Sequence, residues 1–225
     1  MHHWTVYSSL DSAAKGAADF IAKQIEVSIA ARGVCHMIVP GGNTPAGCFA
    51  ALAEHSLPWE QLHCYPGDER CYAVGHSGRN DVMIRTHLLS RLPAIHFHSI
   101  PAELGAEQAA KKYRTVVDAI DAFDIAFVGM GEDGHTASLF PGHPALAERV
   151  SVVAVHDAPK PPADRVSLTL PQLRGARSRV VLAGGASKAA IMARICAGEP
   201  LPVNLIGDIH WFVDEASLSK VDEPV

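Results

Sequence analysis

The sequence predicts an α/β fold: an open, mostly parallel, Rossmann-like sheet with helices on both faces and a ligand site at the carboxyl ends of its strands. Two observations carry that expectation. Apolar, β-branched runs at Val34 to Val39, Ile125 to Val128 and Arg179 to Ala183 are interleaved with helical patterns, the rhythm of strand, crossover helix and parallel strand. Each run then breaks into glycines: Pro40-Gly41-Gly42-Asn43-Thr44-Pro45, Gly129-Met130-Gly131-Glu132-Asp133-Gly134-His135, and Gly184-Gly185-Ala186-Ser187-Lys188. In open α/β sheets ligands lie just beyond such strand ends, so polar groups gathered there are candidates for chemistry.

Composition narrows the class. With 225 residues, 48% of them hydrophobic, the chain can bury one large core, and residues 1–225 are expected to form a single domain. A net charge of −5 and no Lys/Arg block leave no electrostatic footprint for nucleic acid or an anionic membrane. No apolar run nears 18 residues and no basic-then-apolar leader occurs, so a cytoplasmic protein acting on small molecules is expected, as a monomer or weak dimer. Five cysteines (Cys35, Cys48, Cys64, Cys71, Cys196) lack Cys-x-x-Cys spacing and are expected reduced. The 13 histidines include neither His-x-x-x-His nor His-Glu-x-x-His, so neither metal nor other cofactor is expected.

Taken in order, Ser9 to Ala31 spaces its apolar residues as a covering helix, with Asp11 or Ser12 as cap. Val34 to Val39 is a strand, and Ala46 to Glu54 a helix. Between them, Gly41 and Gly42 allow backbone N–H groups to approach an anion at a helix N-terminus, with Asn43 and Thr44 as further donors. The same turn also reads as a tight βα connection with Pro45 at the first helical position. It has no P-loop lysine, which argues against a nucleoside triphosphate. Leu62 to Tyr65 is a short strand running into Asp68-Glu69-Arg70, either a solvated ion-pair corner or part of a site. Ile95 to Ile100 suggests another strand, and Ala102 to Ala119 a helix with Lys111, Lys112 and Arg114 on its solvated face.

His135, just past the strand Ile125 to Val128, is the leading catalytic candidate; the competing reading is that it caps or packs a glycine corner. Val150 to Val155 and the alternating Val166 to Leu170 read as strands. Between them Lys160-Pro161-Pro162 stiffens the approach to Arg165, which on composition alone is a surface arginine. Lys188 opens the helix Ala189 to Cys196, where a cation opposes the macrodipole unless an anion lies nearby. Pro202 to Ser217 reads as a last strand and short helix, with Trp211 in the core or a pocket wall, and Leu218 to Val225 is expected to fray.

Three segments, in order, carry a resemblance. Gly129-x-Gly131-x-Asp133-Gly134-His135-x-Ala137-Ser138-Leu139-Phe140-Pro141-Gly142-His143 resembles the hallmark segment of the 6-phosphogluconolactonases, which share a superfamily with the glucosamine-6-phosphate deaminases. Asp68-Glu69-Arg70 followed by His76, Asn80 and Leu88-Leu89 is similar to a second signature, and Lys160-Pro161-Pro162-x-x-Arg165-x-Ser167-Leu168-Thr169 to a third. The resemblance implies hydrolysis of 6-phosphoglucono-δ-lactone to 6-phosphogluconate. It implies that Gly41, Gly42, Asn43 and Thr44 hold the sugar phosphate, with Arg165 as a phosphate ligand and Lys188 completing the grip, and it places Asp68 in the substrate site. Pro40 and Asn43 stand where the family usually has serine, Ala73 where it has proline, and Arg79 where it has serine. Arg79 could add a phosphate or carboxylate contact.

On this reading His135 serves as base toward water, Asp133 orients it, and Arg70 steadies the oxyanion or the substrate's polar face. Ser138 lies outside a Gly-x-Ser-x-Gly elbow, which argues against a serine nucleophile. The rivals are a deaminase/isomerase and a non-catalytic sugar-phosphate sensor. The sister deaminases carry an acid five residues after the histidine, where this chain has Phe140, and no helix-turn-helix sequence accompanies the chain as in sensors.

Overall fold

The computed structural model describes residues 2–221. Among the described residues, one sheet runs in the order β1 (His3–Tyr7), β10 (His210–Asp214), β9 (Ser178–Ala183), β6 (Ile125–Val128), β2 (Cys35–Val39), β3 (Leu62–Pro66), β5 (His96–Phe97). Every neighbouring pair in it is parallel. Side chains alternate between faces along each strand. Met37, Val39, Ile125 and Phe127 therefore join one core cluster, and Ile38, Ala126 and Val128 the other. On the first face lie α1 (Leu10–Arg32) and α2 (Pro45–Leu52); on the second lie α4 (Ala106–Val117) and α6 (Ala189–Cys196).

The order of strands sets the place of the site. From β2 the chain adds β3 and then β5 to one side; from β6 it adds β9 and β10 to the other. The direction of winding reverses between β2 and β6, which pair directly through Met37 and Ile125. Connections leaving these two strands must part in opposite directions, and a crevice opens between them.

The structure departs from the sequence reading in several places, each with a local cause. Helix α1 is capped by Ser9, not by Asp11 or Ser12: Ser9 is extended (φ −150°, ψ 158°) and its Oγ accepts from the Ser12 N–H at 3.2 Å. It stops at Gly33, whose φ of 76° suits a left-handed C-cap. Asp68–Arg70, read as a polar turn, is strand β4. It pairs antiparallel with β8 (Arg165–Leu168), which in turn pairs with β7 (Val152–Val155), forming a second, three-stranded sheet. Strand β8 is buried along its whole length rather than alternating, and Leu170 opens a helix, α5 (Leu170–Gly175). The helix expected over Ala102 to Ala119 is broken at Gly105 (φ 84°) into a 3-10 turn, Ala102–Leu104, and α4. Only His96–Phe97 of the Ile95 to Ile100 segment is strand. The helix closed by Leu88-Leu89 is α3 (Asn80–Ile84) continued by a π-helical turn, Arg85–Leu89. Of the segment expected to fray, residues 222–225 lie outside the described residues. Among the described residues no helix is long and apolar enough to cross a membrane.

Parallel register also lines up His36, His63 and His96 side by side across β2, β3 and β5. His98 joins them, its Nε2 3.0 Å from His63 Nδ1 and its ring stacked on Tyr65. Burial, and then the neighbouring imidazoles, push His63 down to about 4 from its ordinary 6.5. The unfolded chain thus takes up a proton there more readily than the folded one, so the stability tied to His63 is intact above pH about 6.5 and is lost as pH falls toward about 4. Urea midpoints measured across that range should show the parent losing ground to a His63→Asn variant as pH drops. A pH-independent difference would contradict this.

Candidate active site

One cavity lies at the winding reversal, and several separate stretches of chain supply its wall. The turn after β2 brings Gly41, Gly42 and Thr44; the segment after β6 brings Gly129, Gly131 and His135. The small sheet contributes Asp68, Arg70 and Arg165, and the turn after β9 contributes Lys188. Its antiparallel pairing sets Arg70 directly opposite Arg165.

Past Val128 the chain needs room to fold back under its own histidine. A Cβ on Gly131 would fall 2.0 Å from His135 Nδ1, so glycine is required at this close approach. Gly131 N–H donates to the His135 carbonyl at 2.9 Å, and Thr136 Oγ1 donates to the Gly129 carbonyl at 2.9 Å, which closes the turn. Within it Asp133 Oδ1 accepts from the His135 backbone N–H at 3.2 Å and lies 2.5 Å from Nδ1. A carboxylate can only accept, so Nδ1 carries the proton and Nε2 is left as the basic nitrogen. The imidazole side chain is 17% exposed and leans on the Phe140 ring, centroids 4.6 Å apart. Burial lowers its pKa below the ordinary 6.5, and the Asp133 carboxylate works against that shift without cancelling it. His135 is therefore neutral at pH 7. Burial acts to raise Asp133, but the His135 charge and hydrogen bonds hold it below the usual carboxylate range.

Cations face the imidazole. Arg165 is 4% exposed, so the surface arginine suggested by composition is in fact buried. Its Nη2 donates to the Lys160 carbonyl at 2.8 Å and the Pro161 carbonyl at 3.1 Å, its Nε to the Pro162 carbonyl at 3.2 Å, and its guanidinium lies 5.4 Å from the Phe140 ring centre. Among the described residues Nη1 takes no part in these bonds. Lys188, the N-cap of α6, donates from Nζ to the Met130 carbonyl at 3.0 Å, and burial lowers its pKa. Arg70 Nη1 donates to the Gly78 carbonyl at 2.7 Å, while its buried Nε has no partner among the described residues. A buried donor without an acceptor is costly.

The turn after β2 is built for close contact. Gly42 has φ 87°, and a Cβ on Gly41 would fall 1.9 Å from Asn80 Oδ1. Thr44 makes no side-chain cap bond to α2, so its hydroxyl is open. Asp68 is held from both sides: Oδ1 accepts from Asn80 Nδ2 at 3.0 Å and Oδ2 from Ser138 Oγ at 2.6 Å. Ser138 is itself fully buried, and its hydroxyl faces Asp68 rather than the cavity.

The fold thus brings His135, Arg70, Asp68, Gly41, Gly42, Thr44, Arg165 and Lys188 to one wall, with Asp133 behind the histidine. Asn43 lies exposed outside the lining. Arg79 is 3% exposed and spends its guanidinium on Asp81 (3.1 Å), Glu103 (3.0 Å) and the Tyr72 and Ile100 carbonyls. It fixes a loop and lies outside the cavity lining; of the phosphate or carboxylate contact suggested for it, the carboxylates it meets are the chain's own Asp81 and Glu103. Phe140, which backs both His135 and Arg165, and Asn80, which steadies Asp68, carry more of the site than the sequence reading gave them. Asn80 already stood in the second signature and Phe140 in the first, where it was weighed only as the position of an absent acid.

The family model described as glucosamine-6-phosphate isomerases/6-phosphogluconolactonase matches residues 8–212. The chain is 42% identical over 202 residues to the 6-phosphogluconolactonase of Homo sapiens, spanning 83% of this chain and 75% of that protein. It is 35% identical to the 6-phosphogluconolactonase of Synechocystis sp., spanning 87% and 88%. In structure it is similar to 6-phosphogluconolactonase from Thermotoga maritima, with a TM-score of 0.85 at 26% identity, covering 96% of this chain and 100% of that one.

Since Asp133 works against the depression of the His135 pKa, Asp133→Asn should lower that pKa further, as read by NMR titration of the imidazole. An unchanged or raised value would show that the carboxylate does not set the basicity of the ring.

Proposed function

The chain belongs to the glucosamine-6-phosphate isomerase/6-phosphogluconolactonase family, and from that premise we infer that it hydrolyses 6-phosphoglucono-δ-lactone to 6-phosphogluconate. The observation that carries the reading is a neutral imidazole with its basic nitrogen left over, lining the same cavity as Arg70, Arg165 and Lys188.

The phosphate docks against the Gly41-Gly42 turn and Thr44, where backbone N–H groups and the start of α2 favour an anion, and Lys188 and Arg165 neutralise it. Asn43 belongs at most to the rim of that grip. The lactone ring then reaches toward His135. Nε2 takes a proton from water as the water oxygen attacks the lactone carbonyl carbon, which forms a tetrahedral oxyanion. Arg70, which lines the cavity, stabilises the negative oxygen. Collapse breaks the bond between that carbon and the ring oxygen, and the imidazolium returns its proton to the departing oxygen. Asp133 holds the ring in the tautomer that both steps need. Asp68, anchored by Asn80 and Ser138, faces the sugar hydroxyls as an acceptor.

A deaminating isomerase needs a further carboxylate near the histidine. At the position five residues on, Phe140 presents a ring to His135 and Arg165. An apolar face there supports addition of water to a carbonyl over proton shuttling at a sugar carbon.

Replacing His135 with Asn should cut kcat by roughly 10²–10⁴-fold, the usual worth of a positioned base, while calorimetric affinity for 6-phosphogluconate is kept. A variant that keeps near-parental turnover would remove His135 from the reaction. Lys188→Ala should act on the other side of the ledger and raise KM with little change in kcat. A fall in kcat at constant KM would place Lys188 at the reacting carbon instead of the phosphate.

A further inference from the structure

Glu69 is fully buried between two residues of the cavity wall, Asp68 and Arg70, yet it does not line the cavity. Its carboxylate accepts backbone N–H groups from both ends of the loop that joins β4 to α3. Oε1 accepts from Arg70 at 2.8 Å and Asn80 at 2.7 Å, and Oε2 from Asp81 at 2.8 Å. The Asn80 and Asp81 N–H groups are first-turn donors of α3, which no intrahelical carbonyl can satisfy. Between the two ends, Ala73 to Ser77 are exposed. The loop's far end returns to the site through Gly78, whose carbonyl accepts from Arg70 Nη1 at 2.7 Å. Asn80 in turn donates from Nδ2 to the Asp68 carbonyl at 2.8 Å and packs against Gly41.

We propose that Glu69 is a positioning residue for the lactonase reaction: its buried carboxylate clasps the two ends of loop 71–79, and through them sets Arg70 and Asn80 in the cavity wall. The proposal rests on the role given to Arg70 above. It gives a use to a charge that burial alone would make expensive. Three charge-assisted hydrogen bonds require both carboxylate oxygens as acceptors. Glutamine keeps the shape but turns an NH₂ donor toward an N–H donor, so at least one of the three bonds is lost and one end of the loop is released.

The clasp is titratable. The charged or ionisable groups around Glu69 are Asp68 and Arg70 on its own strand, Cys71 beyond it, Arg79 at 3.8 Å and Asp81 at the start of α3, and Tyr113 from α4; Glu103 acts one step away through Arg79. Burial, with Asp68 adding to it, raises Glu69 to about 7 against the pull of the backbone N–H groups. The clasp is complete above that pH and loosens as pH falls through it. His135, depressed below 6.5, loses its basic form only at lower pH.

Initial rates of 6-phosphoglucono-δ-lactone hydrolysis, corrected for spontaneous opening, should be compared between parent and Glu69→Gln as a function of pH. The expected result for the variant is a kcat lower by about tenfold, since a small misplacement of a catalytic group costs up to about 10²-fold, with affinity for 6-phosphogluconate within about twofold of the parent. Its acid limb should move to lower pH because only His135 remains to titrate. Equal kcat and an unmoved limb would overturn the proposal. Hydrogen exchange at the Asn80 and Asp81 amides of the parent decides the matter without turnover, and also if Glu69→Gln does not fold: their protection, relative to intrinsic rates, should fall as pH drops through about 7. Constant protection means no clasp and overturns the proposal. pH-dependent protection with an unaltered kcat also overturns it, and puts the fault in the role given to Arg70.

Discussion

Arg70, Arg165 and Lys188 face one cavity with Asp68 as the carboxylate in its wall, and that surplus of half-dehydrated positive charge is the constraint on which the rest of the site depends. Backbone carbonyls of Gly78, Lys160, Pro161, Pro162 and Met130 hold these side chains in place. Carbonyls are dipoles and do not neutralise a charge. Burial accordingly lowers the pKa of Arg165 and of Lys188. A phosphate dianion relieves both at once, which makes affinity and orientation of the substrate consequences of one electrostatic imbalance.

The imidazole must work inside that field. Burial does most to lower the His135 pKa, and the Lys160 charge adds to it. Asp133 restores part of the basicity and fixes the proton on Nδ1. The result is a ring that is neutral at physiological pH and still able to take a proton for the short life of an intermediate. Gly131 makes the arrangement possible, because any side chain there would occupy the space of the ring.

Much of this is legible in the residues. Strands β2, β6 and β9 are largely apolar and run on into glycine turns, the pattern of buried parallel strands. The second sheet is legible only in part: β7 and β8 read as strands, but β4 reads Asp68-Glu69-Arg70 and its burial comes from partners nearly a hundred residues away. Polar strands of this kind are stabilised by tertiary hydrogen bonds that no local propensity reveals. The same holds for Arg79 and Arg165. Arg165 looks like a surface cation in the chain and is buried, its guanidinium held by the carbonyls of the adjoining Lys160-Pro161-Pro162 segment, while Arg79 is buried where Glu103 and the Ile100 carbonyl reach it from another segment. Glycine turns announce where a site lies; the side chains that tune it are decided by packing.

The most direct measurement is a crystal structure of the protein with 6-phosphogluconate. Its phosphate should sit between the Gly41-Gly42 turn and the side chains of Arg165 and Lys188, with the newly freed hydroxyl within hydrogen-bond reach of His135 Nε2 and the newly formed carboxylate within reach of Arg70. A product bound the other way round, with the phosphate on the imidazole, would contradict the division of the cavity into an anion grip and a hydrolytic end.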